Sequence, residues 1–211
     1  MRTRFPLASA LVLAASLGIA PASWAEGGDC GNPFVNAFGP FDYRTATPDE
    51  RGIVENHHFT AQVETLRGGI SGSIGAEIDY TLRALPNHPR ALMAMVRLGQ
   101  RDKSNQPRGA HYTVECYIER ALQFRPDDAN VRQIRGIYMS MQGKHVAAIE
   151  DFKAVVAAQP QNANAHYNLG LAYFETKDYE AARAQAKIAQ DLKFPLDGLQ
   201  KMLQQRGKWT D

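Results

Sequence analysis

The chain has 211 residues, 44% of them hydrophobic and 22% charged, which suits a folded domain with a real core and argues against a disordered chain. Its 24 basic and 22 acidic residues give a net charge of +2, but Arg2 and Arg4 lie in an acid-free leader, and without them the two signs are equal at 22. A neutral chain lacks the dense Lys/Arg stripe that releases counterions from nucleic acid, so no nucleic-acid partner is expected.

Residues 1–25 have the three parts of a secretory signal. Arg2 and Arg4 form the charged start, Leu7 to Ala20 is an apolar run, and Ser23-Trp24-Ala25 supplies small residues at a cleavage site. The run is too short to span a bilayer, and Pro21 follows it. Cys30 is preceded by Gly28-Asp29, which is no lipobox. The expectation is an exported protein, periplasmic in a Gram-negative cell or secreted. No integral membrane segment is expected in the mature chain, since no later stretch approaches about 18 apolar residues.

Residues 26–46 form a Gly/Pro-interrupted arm. It carries Phe34, Phe38, Phe41 and Tyr43, whose apolar area favours docking over free solvation. Two cysteines remain, Cys30 and Cys116, and an even count in an exported chain favours a disulfide over two unpaired thiols. Around Cys116, Val114, Ile118, Ala121 and Leu122 form a helical apolar stripe. Cys116 lies about 200° from Ile118, on the outer face. The bridge would anchor the arm there and leave the inner side open unless the arm wraps round to fill it.

Residues 47–128 read as a run of helices. Thr47-Pro48-Asp49-Glu50 is a capping box, and Phe59, Val63 and Leu66 supply the stripe of one helix ended by Gly68-Gly69. Gly68 to Gly75 is glycine-rich but is neither a nucleophile elbow nor a dinucleotide fingerprint, so it reads as a linker. Ile78, Leu82 and Leu85 mark the next helix, closed by Pro86. Asn87-His88-Pro89 starts another, with Ala91, Leu92, Met95 and Leu98 as its stripe. Gly99 to Gly109 reads as a polar loop, and Tyr112 to Phe124 as the following helix.

Residues 129–211 hold an internal repeat. Gly136 and Gly170, Ala148 and Ala182, and Pro126 and Pro160 are each 34 residues apart. The string from His166 to Tyr173, with Ala182 and Ala189 after it, resembles the tetratricopeptide repeat (TPR) family, which has this period and helix-turn-helix units. Gly136, Ala148, Phe152 and Pro160 occupy the matching positions of the unit before, where Arg132 and Arg135 depart from the usual large apolar residues. Small Gly and Ala let two helices approach closely, and Pro ends the second helix because it has no amide hydrogen. Leu196, Leu199, Met202 and Leu203 suggest a terminal helix that covers the last repeat. The fold class expected is all-α: a TPR-like solenoid of helical hairpins, with about nine helices, a non-helical N-terminal arm and a C-terminal capping helix.

No catalytic signature is present, and no cofactor or metal is expected. The six histidines are dispersed; His57 and His58 are adjacent, so on a helix they point about 100° apart. His166 sits at a packing position, and the acid pairs Asp127-Asp128 and Glu150-Asp151 occur near helix ends. The resemblance implies a ligand groove formed by the first helices. Its positions are Asn130, Gln133, Ile137, Ser140 and Met141 in one unit, and Asn164, Tyr167, Leu171, Phe174 and Glu175 in the last. In the degenerate unit the face off the apolar stripe carries Arg90, Met93, Arg97 and Arg101, basic groups that suit an acidic segment or pair with Glu and Asp. The family's carboxylate-clamp pattern of Lys and Asn is not reproduced.

These features imply a protein or peptide partner, and a periplasmic or secreted interaction adaptor in envelope assembly or secretion rather than an enzyme. The alternatives are an envelope enzyme or its accessory subunit, with a site of dispersed residues, and a solenoid that self-assembles end to end. Residues 26–128 carry 11 basic against 14 acidic residues and residues 129–211 carry 11 against 8, so the neutral sum hides a modest polarity.

Overall fold

A computed structural model describes residues 30–209; the expected leader and the first four residues of the arm lie outside the described residues. Ten helices and no strand occur among them. They are α1 (Pro48–His58), α2 (Ala61–Glu64), α3 (Ile74–Ala84), α4 (Pro89–Asp102), α5 (Val114–Phe124), α6 (Ala129–Met141), α7 (His145–Ala158), α8 (Ala163–Glu175), α9 (Tyr179–Asp191) and α10 (Gly198–Gln205). None is long and apolar enough to cross a membrane.

Local chemistry sets the helix ends. Thr47 and Glu50 exchange side-chain and backbone hydrogen bonds in the expected capping box. Ser73, Thr113, Asp128, Asn162 and Asp178 each accept an amide of the first turn of their helix. At the other ends, Lys103, Gly143, Lys177, Lys193 and Gly207 are left-handed, and the next amide donates back to the carbonyl five residues earlier. Gly143 and Lys177 are one repeat apart, so the period extends to the caps.

Packing follows the repeat. α6 packs on α7, α7 on α8 and α8 on α9, while α10 covers α8 and α9. A Cβ on Gly136 would meet the ring of buried Phe152 at 2.7 Å, and one on Gly170 would meet Leu199 at 2.5 Å. These approaches explain the glycines of the repeat. Arg135, where an apolar residue was expected, donates to Asp151 of α7 at 2.8 and 2.6 Å, and Arg132 stands 3.7 Å from the same carboxylate. Asp151 is buried and lies within α7, not near its end. An ion pair on a buried carboxylate thus stands beside the apolar contacts of Met139 and Phe152 between α6 and α7.

Upstream, the expected single helix across residues 48–67 is broken. Phe59 leaves the helical region and Thr60 is extended, separating α1 from α2. On one continuous helix Val54 and Phe59 would point about 140° apart. The break lets Val54 pack with Ala84 and Leu85 while Phe59 joins the main core around α4. The expected loop from Gly99 is also corrected: α4 runs on to Asp102. Gly99 serves close packing, since a Cβ there would meet Val114 at 2.8 Å.

The glycine-rich linker is organised around one carboxylate. Glu77 Oε1 accepts the amides of Ile70, Ser71 and Gly72 and the Ser71 hydroxyl at 2.7–3.1 Å, and Oε2 meets His58 Nδ1 at 2.8 Å. Burial pushes this carboxyl up, but the hydrogen bonds from Ser71, His58 and Ile70 outweigh it and bring it down to about 2.

The arm docks as expected. A disulfide joins Cys30 to Cys116, with Cα atoms 5.2 Å apart. Bonded in this way, Cys116 is buried beneath the arm. The Phe41 amide donates to the Ala84 carbonyl, and Phe38, Phe41 and Tyr43 pack against Val54 and Leu85. Phe34 touches Phe124 yet remains 54% exposed, so it is the least buried of the four aromatics. Asp42 locks the junction. It accepts from Arg44, Arg125 and the fully buried Asn87, whose amide also donates to Asp128 at 2.9 Å. Burial alone would raise the Asp42 carboxyl, but these donors hold it well below the usual range. The arm therefore lies along α3 and α5, the second helices, and away from the inner face of α4, α6 and α8.

Candidate functional site: the inner groove

α4, α6 and α8 line up on the inner side, with α6 touching both neighbours. Between α4 and α6 the structure brings together six of the expected residues. Arg90, Met93 and Arg97 form one wall, and Asn130, Gln133 and Ile137 the other, of a cleft of about 260 Å³. Asn130 is exposed at the mouth and Met93 and Ile137 form the apolar floor. Deeper along the groove an amide ladder joins the units. Gln133 donates to Asn164 at 2.6 Å, Asn162 donates to Gln133 at 3.0 Å, and Asn168 donates to Asn164 at 2.7 Å.

The basic end is partly tied into the fold. Arg90 grips Glu64 through two hydrogen bonds of 3.0 and 2.9 Å. Arg101 donates to the Leu66 carbonyl at 2.9 Å and to Asp102 at 2.8 Å. These arginines fasten α2 to α4, as the pairing alternative held. Among the described residues Arg97 makes only a long contact, 3.4 Å, with the Glu64 carbonyl, and it is exposed over the cleft.

The last unit departs from expectation. Phe174 is 8% exposed and belongs to a core with Leu199 and Leu203 of α10, so it is not a groove residue. Tyr167 stacks on Phe194 at 4.5 Å, and Leu171 packs into the same cluster. The capping helix takes the place that a next first helix would hold, and it consumes the apolar groove positions of the unit beneath it. Of that unit only Asn164 remains exposed in the ladder, and Glu175 at the edge. Met141 is exposed but lines a separate crevice of about 290 Å³ with Val96, Val114 and Tyr138.

His58, His88 and His166 are spent on the fold. His88, fully buried between Tyr43 and Phe59, accepts the Ala91 amide and donates to Glu55; burial, with Arg90 and Arg51 nearby, brings it down to about 3. It is therefore neutral, and its contact with Glu55 is a hydrogen bond. His166 meets Gln185 and the Pro160 carbonyl. Tyr117 donates to Asp79, and burial and that carboxylate push its hydroxyl up. Cys30, Cys116 and Glu119 cluster within 4.8 Å, but the two sulfurs are bonded to each other.

Residues 142–193, which span α7 to α9, match the family model of the tetratricopeptide repeat. Solved structures that share its fold include two MamA chains. MamA AMB-1 is 18% identical with a TM-score of 0.51, over 76% of this chain and 88% of that one. A MamA RS-1 double mutant is 22% identical with a TM-score of 0.52, over 77% and 88%. None of the curated proteins matches the chain. Repeats of this family are protein-interaction scaffolds, typically without enzymatic activity.

Proposed function

We propose that the chain is an exported adaptor that holds an extended segment of a partner protein in the inner groove of α4 and α6. The observation that carries this reading is the cleft itself: Met93, Arg97, Asn130, Gln133 and Ile137 come from two successive units and converge on one open surface. An apolar floor with amides along one wall suits an extended peptide, and Arg97 favours an acidic residue at one end. The leader and the Cys30–Cys116 disulfide support an oxidising compartment outside the cytoplasm, and envelope assembly or secretion is the process we assign.

The test is affinity capture of the mature protein from its native envelope with crosslinking, beside Arg97→Glu and Ile137→Glu. The adaptor reading predicts a discrete partner that both variants lose while their unfolding midpoints stay close to the parent's. A partner captured equally by all three proteins contradicts the groove assignment.

A further inference from the structure

The outer side of the molecule carries a second concave surface. α7 packs along α8, but α5 meets α6 more sparsely, and the seam opens into a crevice of about 360 Å³ between α5 and the α6–α7 hairpin. Ile118 and Leu122 of α5 and Met139 and Ala147 of the hairpin form an apolar floor. Val146, beside Ala147, stands 71% exposed. At the rim of the crevice Glu119 lies 3.4 Å from Cys30 Sγ of the arm.

The charges at this crevice are unbalanced. Glu115 and Glu119 are one helical turn apart and both line it, and neither forms an ion pair among the described residues. Arg135 faces them, but its guanidinium is gripped twice by Asp151. Tyr138 completes the wall. Burial and the neighbouring Glu115 push the Glu119 carboxyl up, against the pull of Arg135, and the Tyr138 hydroxyl is raised by burial and Glu115.

We propose that this crevice seats a Lys or Arg side chain flanked by apolar residues, presented by a segment of a partner protein, which makes the outer seam a docking surface separate from the inner groove. The physical logic is complementarity. A long cationic side chain lays its methylenes on an apolar floor while its head reaches the two carboxylates. An acidic segment is repelled, and a neutral apolar one would desolvate both carboxylates without compensation.

The test uses the mature chain labelled for amide NMR and three probes of one shape: phenylbutylammonium, phenylbutanol and phenylbutyrate. The ammonium is expected to move the amides of Ile118, Glu119, Leu122 and Met139 and to bind about fivefold more tightly than the alcohol. Added salt should erase that margin. Glu115→Gln with Glu119→Gln, which changes charge and not shape, should bind ammonium and alcohol alike, with the rest of its spectrum unchanged. Equal binding of all three probes by the parent overturns the proposal in favour of a purely apolar occupant. Shifts confined to Arg97 and Ile137 overturn it by placing the cation in the inner groove. Concentration-dependent broadening of crevice amides without probe overturns it in favour of a second copy, and an absence of binding by any probe overturns it outright.

Discussion

Replacing Glu77 with Gln tests whether one carboxylate organises the glycine-rich linker. The buried Glu77 carboxylate satisfies three backbone amides and a hydroxyl through one oxygen and meets His58 through the other. Its fall from 4.5 to about 2 corresponds to about 3 kcal/mol of linked stability. The folded value is depressed, so this stability is fully present above pH 4.5 and is lost as pH falls toward 2. Glutamine keeps one carbonyl acceptor but loses the charge, so Glu77→Gln should cost about 2–3 kcal/mol at neutral pH. By about pH 3 the parent has forfeited most of its advantage, and the gap should narrow to below about 1 kcal/mol. Urea unfolding at the two pH values measures both gaps. Amide exchange at Ile70, Ser71 and Gly72 should quicken in the variant, because their acceptor has weakened. A loss under about 0.5 kcal/mol at neutral pH, with unchanged exchange, would refute the reasoning.

Phe174→Ala should cost about 3 kcal/mol in denaturant unfolding, because it opens a cavity beneath α10; a variant as stable as the parent would return Phe174 to the groove. Gly170→Leu should give no cooperative unfolding transition, since even a Cβ meets Leu199 and stands 3.2 Å from the Ala182 carbonyl. Cys30→Ser with Cys116→Ser should lower stability by about 4 kcal/mol and expose residues 30–46 to protease, because the bridge spans 86 residues of chain. A doubly substituted protein with parental stability and an intact arm would show that Asp42 and Asn87 hold the arm without it.

The repeat was legible because its physical cause is local. A glycine at every close helix crossing, an alanine opposite and a proline at the end leave a period that survives in one sequence. The docked arm was legible through its aromatics and its cysteine. Long-range compensation was harder to read. Arg132 and Arg135 stand out as departures, and their partner, Asp151, was visible as the acid on the apolar face of α7; reading the two anomalies together would have paired them. Glu77 gave no such signal, because its ligands are backbone amides that any linker possesses. The groove positions of the last unit were misplaced for a different reason. Family positions assume another repeat after them, and here α10 fills that space and buries Phe174. The crevice acids, Glu115 and Glu119, look in sequence like an ordinary solvated helix face, and only the sparse packing of α5 against α6 shows what they face.

The most direct measurement of the adaptor reading is photocrosslinking from single positions in the native envelope. A photoreactive residue at Arg97 or Ile137 reports the inner groove, and one at the exposed Lys153 reports the outer face of α7. The groove account predicts that positions 97 and 137 crosslink the same partner segment, at neighbouring residues of that segment, while position 153 does not. Adducts formed from position 153 alone, with none from 97 or 137, would contradict it.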